Sequence, residues 1–345
     1  MTNFLAKRIL MLPIVALGVT FLLFSLTNIL PPEMRASLYV QSQKELTPDT
    51  LKEIIKTHKL DAPLIRQYFM WLKKVVRGEL GYSQSANMSV KEAIKACLPA
   101  TLELTIFAII PIFFIGLWAG AISAVRRDKF TDHFTRFAAI TGYSLPTFVF
   151  GLMMLMIFYG WLGIFPPGRY SFSSDMIING GDFSQFTGIL TLDSLLNGEF
   201  GVFLDALKHL VLPASVLCFG SIALLIRITR TSMLEELNKD YIRTAKSKGL
   251  KENYIINKHA KRNALIPIIT LISLQFIRLL SGVVITETVF DFPGIGRWGV
   301  KAAQQLDLAG VMGFSLMTAA LFVVGNTISD ILYAVVDPRI RYGKK

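Results

Sequence analysis

Apolar residues along this chain are gathered into six long blocks separated by polar connections. The blocks run near Ile9 to Leu30, Thr101 to Val125, Phe137 to Phe158, Leu210 to Ile226, Ile268 to Val289 and Val311 to Val336. A helix rises 1.5 Å per residue, so about 20 apolar residues bridge the roughly 30 Å hydrocarbon layer of a bilayer. The pattern therefore predicts an all-α membrane protein with six transmembrane helices. The first block follows Lys7 and Arg8, as the core of a signal peptide would. It is long enough for about 33 Å of helix, and no small-x-small cleavage site follows it, so it reads as an uncleaved first span.

The connections differ in character. In segment 31–98, Thr47 can cap a helix with Pro48 at its first position, and Leu51, Ile54, Ile55 and His58 follow at helical spacing. A second amphipathic helix follows Pro63 with Leu64, Tyr68, Trp71, Leu72 and Val75. These helices either pack on the ends of the spans or touch a delivered solute. Segment 171–200 is rich in Ser, Gly, Asn, Asp and Phe without a strong period and reads as a loop. The chain thus divides into a tail and first span (1–30), an extracytoplasmic helical segment (31–98) and a transmembrane body (99–345) carrying a large loop, 227–266.

Charge gives the orientation. With the N-terminus in the cytoplasm, the inside segments carry 20 Lys/Arg, whereas outside segments about twice as long carry 15. Eleven of those 15 lie in segment 31–98, and long segments translocate largely regardless of charge. Both termini are then cytoplasmic. The net charge of +12 fits loops facing anionic lipid better than nucleic acid. Cys97 and Cys218 lie in unrelated segments and indicate neither a disulfide framework nor a zinc site.

Catalytic signatures are missing: there is no GxxxxGK[ST], HExxH or GxSxG, and the four histidines fall in four different segments. If transport through this chain is driven by ATP, another chain must hydrolyse it. Within the spans, Arg278 stands out, with Gln275 one turn before it and Glu287 near the outer end of the same block. A guanidinium at that depth lines a water-filled path, or else forms an internal ion pair or carbonyl contacts that hold two helices together. Asn326 and Asp330 share an interior face of the sixth block, with packing the simpler role. Asn326 nevertheless joins Gln275 and Arg278 as a candidate for a translocation path. Gly116 and Gly120 form a GxxxG, a weak signal of close helix contact.

In the large loop, Leu234, Leu237, Tyr241 and Ala245 recur at spacings of 3, 4 and 4, one apolar stripe on a charged helix. Gly249 stands where a C-cap would end that helix, and a short helix from about Glu252 to Arg262 leads to Pro267 at the start of the next span. The result is a compact cytoplasmic knob, suited either to lie on anionic lipid or, in the preferred reading, to dock a partner.

Here the sequence resembles a known family. Arg227-x-x-Arg230-x-Ser232-Met233-Leu234-Glu235 and Asp240-Tyr241-Ile242-Arg243-Thr244-Ala245-Lys246-x-Lys248-Gly249 look like the EAA-type loop of ABC-importer permeases of the dipeptide/oligopeptide family. Arg243 and Thr244 replace the first two residues of Glu-Ala-Ala, and His259-x-x-Arg262-Asn263-Ala264-x-x-Pro267 stands where the general pattern has Leu-Pro. Similar stretches cover almost the whole chain, among them Leu98-Pro99-x-Thr101, Ser144-Leu145-Pro146, Glu287-Thr288-Val289-Phe290-x-x-Pro293-Gly294-x-Gly296 and Asp337-Pro338-Arg339. Two places depart from the family: Leu308-Ala309 follows Asp307 where a proline is common, and segment 171–200 is longer than usual.

The resemblance implies a type I permease fold in a prokaryotic cytoplasmic membrane. It implies a homologous second permease, two cytoplasmic ATP-binding subunits that hold the ATP and Mg, and an extracytoplasmic solute-binding protein. This chain would bind no cofactor and catalyse no bond chemistry. The loop would be the coupling element, through Asp240, Tyr241, Arg243, Thr244, Ala245, Lys248, Gly249, His259 and Asn263. Relatives of this kind carry peptides, but also oligosaccharides, nickel complexes or glutathione. An ion-coupled secondary transporter would need ionisable residues near mid-bilayer and an inverted repeat; only Arg278 qualifies, and no repeat is visible.

Overall fold

The computed structural model describes residues 2–36, 47–281 and 283–336, with side chains described from residue 13 to residue 329 apart from Leu23. The terminal Asp337-Pro338-Arg339 stretch and the side chain of Asp330 lie outside the described residues.

The described residues form helices and one short hairpin, β1 (Tyr82–Ser83) against β2 (Met88–Ser89). Helix α1 spans Thr2–Thr27, and the short α2 covers Pro32–Ala36. Next come α3 (Pro48–His58), whose start is a capping box between Thr47 and Thr50, and α4 (Leu64–Val76). Both helices of this segment stand where the sequence puts them. The second of them docks on the first helix: the Tyr68 hydroxyl lies 2.9 Å from that of Thr20 and donates to the Leu17 carbonyl, and Phe24 packs on Tyr68 and Trp71. Arg35 fastens the same corner, donating to Asn28 and Gln67 at 2.7 Å and to the Leu60 carbonyl at 2.8 Å.

Among the described residues, four helices are long and apolar enough to cross a membrane: α5 (Val90–Val125), α10 (Phe200–Leu237), the run Glu252–Leu280 and α16, of which Leu308–Ser329 passes. A fifth crossing is made if α6 (Phe130–Ser144) and α7 (Thr147–Met154), which continues as a π-helical stretch to Trp161, count as one span. These two helices meet at 100°. Pro146 holds Leu145 in an extended conformation and ends α6 inside the block that the sequence reads as one span. In α1, Pro13–Thr27 forms a shorter apolar stretch.

Other boundaries also move. The fourth helix is 38 residues long and carries straight on from the apolar block into the loop region, ending at Leu237. The stripe expected on one helix is therefore divided. Leu234 and Leu237 belong to α10, whereas Tyr241 and Ala245 belong to α11 (Asp240–Ser247) beyond a turn at Asn238 and Lys239. The short return helix is continuous with the fifth span: α12 (Glu252–Tyr254) passes through a π-helical stretch, Ile255–Ala260, into α13 (Lys261–Leu280). Pro267 sits inside this run rather than at its start. The run stops at Leu280, so Glu287 lies on a separate short helix, α14 (Val284–Val289). Segment 171–200 contains α8 (Phe172–Ile178) and α9 (Leu190–Leu196), and α15 (Ile295–Gln304) precedes α16 (Leu308–Val336).

The core forms around α10, the most buried of the long apolar helices, whose closest neighbour is α5. Leu104, Ala108 and Ile112 meet Leu210, Leu217 and Leu225, with Ile268 and Leu279 from α13 closing the cluster. The two backbones approach at the GxxxG positions. A Cβ on Gly116 would lie 2.5 Å from the Leu225 side chain, and one on Gly120 would lie 2.5 Å from Thr229 and 2.8 Å from the Ile226 carbonyl. Gly120→Val should therefore overpack this contact at a cost of about 1–3 kcal/mol and lower the unfolding temperature of the purified protein. Gly18→Ala, which meets open space inside α1, should keep that temperature or raise it; an equal loss in both variants would contradict the close approach.

Candidate functional site

The residues singled out in the large loop come together as a small folded knob at one end of α5 and α10. Helix α11 buries Ile242 and Ala245 against Met233 of α10, Ala124 of α5, and Ile255, Ala260 and Ala264 of the return run. The knob is therefore seated on three helices of the body. The Tyr241 hydroxyl donates to the Glu236 carboxylate at 2.5 Å and accepts from Asn263 Nδ2 at 3.1 Å, linking α10, α11 and α13. Burial, with the bond to Glu236, pushes the Tyr241 phenol up, so it remains a protonated donor at neutral pH.

The end of α11 is set by Gly249 at φ +72°. Its N–H donates to the Lys246 carbonyl at 2.9 Å and the Leu250 N–H to the Ala245 carbonyl at 3.3 Å, a Schellman arrangement that needs a left-handed residue. Lys248 is the residue between helix and glycine. No atom lies within 4 Å of a Cβ built on Gly249, so its requirement is purely conformational.

The outward side of the knob is polar and basic. Asp240, Arg243, Thr244, Lys246, Ser247 and Lys248 are exposed, and the Asp240–Arg243 pair at 3.4 Å is too solvated to add much rigidity. His259 is half-buried, its ring edge-on to Tyr254 at 5.7 Å. Ala245 thus differs from its expected role: the apolar stripe is already covered by this chain, and the surface left for a partner is the charged one.

A buried ion pair braces the knob's foundation. Arg230 of α10 grips Asp132 of α6 with two bonds of 2.7 Å, and Asp132 also accepts from the Ser123 hydroxyl at 2.5 Å and the Asp128 N–H at 3.0 Å. With every carboxylate lone-pair direction in use, this pair fixes α6 and the end of α5 to α10.

The far end of the bundle holds four more buried carboxylates. Glu103 pairs with Arg169 at 2.7 Å and accepts the Thr191 N–H at 2.7 Å. Asp193 accepts from Thr187 and Gly188. Glu287 accepts the Thr101 hydroxyl at 2.7 Å and the Arg297 N–H at 2.9 Å, and a Cβ at Gly294 would collide with its carboxylate, which accounts for the Pro-Gly-x-Gly stretch. Asp307 caps α16 through the Gly310 N–H and binds Ser83 and Ser85. Burial pushes the Asp307 carboxyl up, but these donors outweigh it and hold it below the usual carboxylate range. The sequence pattern gives Glu103 no role and marks Asp307 only as preceding Leu308-Ala309, although an acid inside an apolar block and an acid immediately before one are both signals of such bonding.

Among the path candidates, Gln275 donates to the Ser221 hydroxyl of α10 at 2.6 Å. Arg278 is exposed on the surface of this chain, and no hydrogen bond or ion pair engages it among the described residues. Asn326 is half-buried on α16, beside Gly325, where α16 packs on Ile277 of α13. These three residues line neither of two hollows: an apolar one of 610 Å³ between α5, α7 and α10, and a cleft of 310 Å³ between α6 and α10 with Arg136, Tyr143 and Arg227 in its wall. Among the described residues, no three His, Cys, Asp or Glu side chains are placed to hold a metal ion.

Comparison with known proteins adds an independent observation. Residues 112–342 match the family described as the binding-protein-dependent transport system inner membrane component, and residues 1–105 match the N-terminal region described for the same kind of component. The dipeptide transport system permease protein of Escherichia coli strain K12 is 36% identical over 345 residues, covering 100% of both chains. The di/tripeptide transport system permease protein of Pseudomonas aeruginosa strain UCBPP-PA14 is 38% identical over 343 residues, 99% of each chain. The oligopeptide transport system permease protein of Bacillus subtilis strain 168 is 36% identical over 343 residues, 99% of this chain and 100% of that one.

The seating of the knob yields a contrast in stability. Ala245→Asp should destabilise the isolated chain by several kcal/mol, because it buries an unpaired carboxylate in the chain's own core. Arg243→Glu, on the exposed side, should stay within about 0.5 kcal/mol of the parent. Chemical denaturation of both variants checks this; equal stability would mean that Ala245 is not covered by the chain itself.

Proposed function

The chain belongs to the family of binding-protein-dependent transport system inner membrane components, and from this premise we propose that it is one permease subunit of an ATP-driven peptide importer. The peptide assignment rests on relatives at 36–38% identity over essentially the full chain whose names specify dipeptide, di/tripeptide or oligopeptide transport. The same architecture would serve an importer of oligosaccharides, nickel complexes or glutathione; the names of these relatives favour peptides.

In this reading α1, α5, the bent α6–α7 pair, α10, the α12–α13 run and α16 make six crossings. Both termini and the knob lie in the cytoplasm, and segment 31–98 lies outside. The excess of Lys/Arg in the knob and its neighbouring connections supports that orientation. A second, homologous permease completes the path, two ATP-binding subunits dock beneath, and an external binding protein delivers solute.

The observation that carries the proposal is the knob itself: an exposed basic surface on a helix whose apolar side is bolted to α5, α10 and α13. A partner pushing on that surface would move the bundle, because α11 is packed against residues of α5, α10 and the α12–α13 run. ATP-driven closure of the partner subunits would rock the body between outward-open and inward-open states. Hydrolysis would be the partners' chemistry, since this chain carries no phosphate-cradling loop.

Arg278 is assigned to the path or to the contact with the second permease. An exposed guanidinium on a membrane helix costs at least about 2.5 kcal/mol against lipid, and an aqueous path or a partner carboxylate removes that cost. Arg278→Ala should reduce uptake with the complex still assembled, and Arg278→Lys should restore part of it, because Lys lacks the planar donor fork. Normal transport per complex with fewer complexes assembled would assign Arg278 to subunit contact alone.

The proposal as a whole is tested by reconstituting the chain with its partners and measuring ATP hydrolysis and peptide uptake together. Gly249→Val strains the left-handed cap by roughly 1 kcal/mol or more and tilts the outer face of the knob. The variant should lose uptake several-fold while hydrolysis continues or the ATP-binding subunits dissociate. Wild-type uptake with wild-type retention of those subunits would show that the knob is not the coupling surface. Uptake by the chain in vesicles without any ATP-binding subunit would instead support an ion-coupled carrier.

A further inference from the structure

The cleft between α6 and α10 changes character along its length. Contacts at either end set its walls. Gly142 of α6 runs so close to α10 that a Cβ there would lie 3.0 Å from the Phe219 carbonyl, and the Asp132–Arg230 pair closes the end nearer the knob. Between these contacts the helices leave 310 Å³, room for about ten water-sized groups. Arg136 follows Asp132 by about one turn of α6, and Arg227 precedes Arg230 by about one turn of α10, so both guanidiniums belong to the same level of the cleft. Toward the middle of the bundle the wall becomes apolar, with Ala139, Ile140, Ala223 and Leu224.

Three arginines line this cleft, and no Asp or Glu does. Arg230 is neutralised by Asp132, whereas Arg136 and Arg227 are exposed and engaged by no hydrogen bond or ion pair among the described residues. Ser144 and Thr231 turn their hydroxyls back to the Ile140 and Arg227 carbonyls of their own helices. The depth of the two free cations follows from the apolar blocks. Arg227 is the first residue after the block Leu210 to Ile226, and Arg136 is the last before the block Phe137 to Phe158. Both therefore stand at one edge of the hydrocarbon layer, where an unpaired guanidinium is relieved by an anion and the wall beyond it by apolar chain.

We propose that this cleft binds an anionic glycerophospholipid from the leaflet on the knob's side, with the phosphodiester held by Arg136 and Arg227 and an acyl chain lying along Ala139, Ile140, Ala223 and Leu224. A planar guanidinium engages two phosphate oxygens at once, which suits a phosphodiester. A free phosphate ion matches only the charged level and leaves the apolar wall wet. A cargo peptide brings an ammonium group, and a zwitterionic lipid brings an ammonium or choline; neither finds a carboxylate on this wall. Bound there, the lipid bridges α6 and α10 between their two direct contacts. The inference rests on α6 and α10 crossing the membrane as described above, and not on the coupling role of the knob.

The test is native mass spectrometry of the assembled complex in mild detergent, titrated with phosphatidylglycerol or with phosphatidylcholine of identical acyl chains. The parent should retain phosphatidylglycerol several-fold more tightly than phosphatidylcholine. Arg136→Gln combined with Arg227→Gln should remove that preference. Lys246→Gln combined with Lys251→Gln takes the same charge from exposed positions at the same end of the bundle and should keep it. Glycerol phosphate, which has the phosphate without acyl chains, should not displace the lipid at millimolar concentration, and neither should a tripeptide. A parent without the preference, or an equal preference in the Arg136 and Arg227 double variant, overturns the proposal. Displacement by glycerol phosphate would make the cleft a site for free phosphate, and displacement by the tripeptide would put it on the cargo path; either result overturns it too. None of these outcomes bears on whether the knob couples to ATP hydrolysis, which is read from hydrolysis and uptake.

Discussion

The architecture depends on the close approach of α5 and α10. Gly116 and Gly120 remove side chains where the two backbones meet, so Leu225 and Thr229 sit directly against the partner helix. Inside a bilayer, helix association has no hydrophobic driving force of the kind that acts in water, and close packing of this sort has to hold the pair together. Around it the remaining long helices find their places: α13 against the Leu210–Leu225 face, α6 beside the lower part of α10, and α16 against α13 through Gly325.

Buried carboxylates then fix both ends of the pair. Asp132, gripped by Arg230, locks the knob end, and Glu103 and Glu287 lock the other end to α9 and α15. Asp132 and Glu103 are paired with arginines and Glu287 accepts from Thr101 and Arg297, and a buried carboxylate gives order instead of instability only when it is satisfied in such ways. Between these two clamps runs the α5–α10 pair, and α11 is mounted on its end through Ile242, Ala245 and the Tyr241 hydroxyl. The account of coupling follows from that mounting: a surface that is stiffly attached can transmit a push.

Much of this was legible in the sequence because it rests on local rules. The Thr47 cap, the left-handed Gly249 and the apolar blocks each follow from the requirements of a single residue or a single period. The errors share a physical cause, which is that tertiary contacts override local pattern. Leu234, Leu237, Tyr241 and Ala245 keep helical spacing across the turn at Asn238 because both helices bury their apolar sides in one shared core. Pro267 does not start a helix because a membrane helix tolerates an internal proline. Segment 171–200 hides two helices because each has only seven residues and α9 turns its leucines outward, so the usual reading of an amphipathic stripe points the wrong way. The roles of Glu103 and Asp132 depend on Arg169 and Arg230, 66 and 98 residues away, and no local pattern announces such pairs.

The central claim is that the exposed basic face of α11 is the surface on which ATP-binding subunits act. It is tested most directly by placing a benzophenone photocrosslinker at Ser247, on that face, and irradiating the complex in native membranes. The account predicts a covalent adduct between this chain and an ATP-binding subunit, absent when the crosslinker is moved to Leu196 at the far end of the bundle. Adducts to lipid alone from position 247, in membranes where the complex is shown to be assembled, would contradict it.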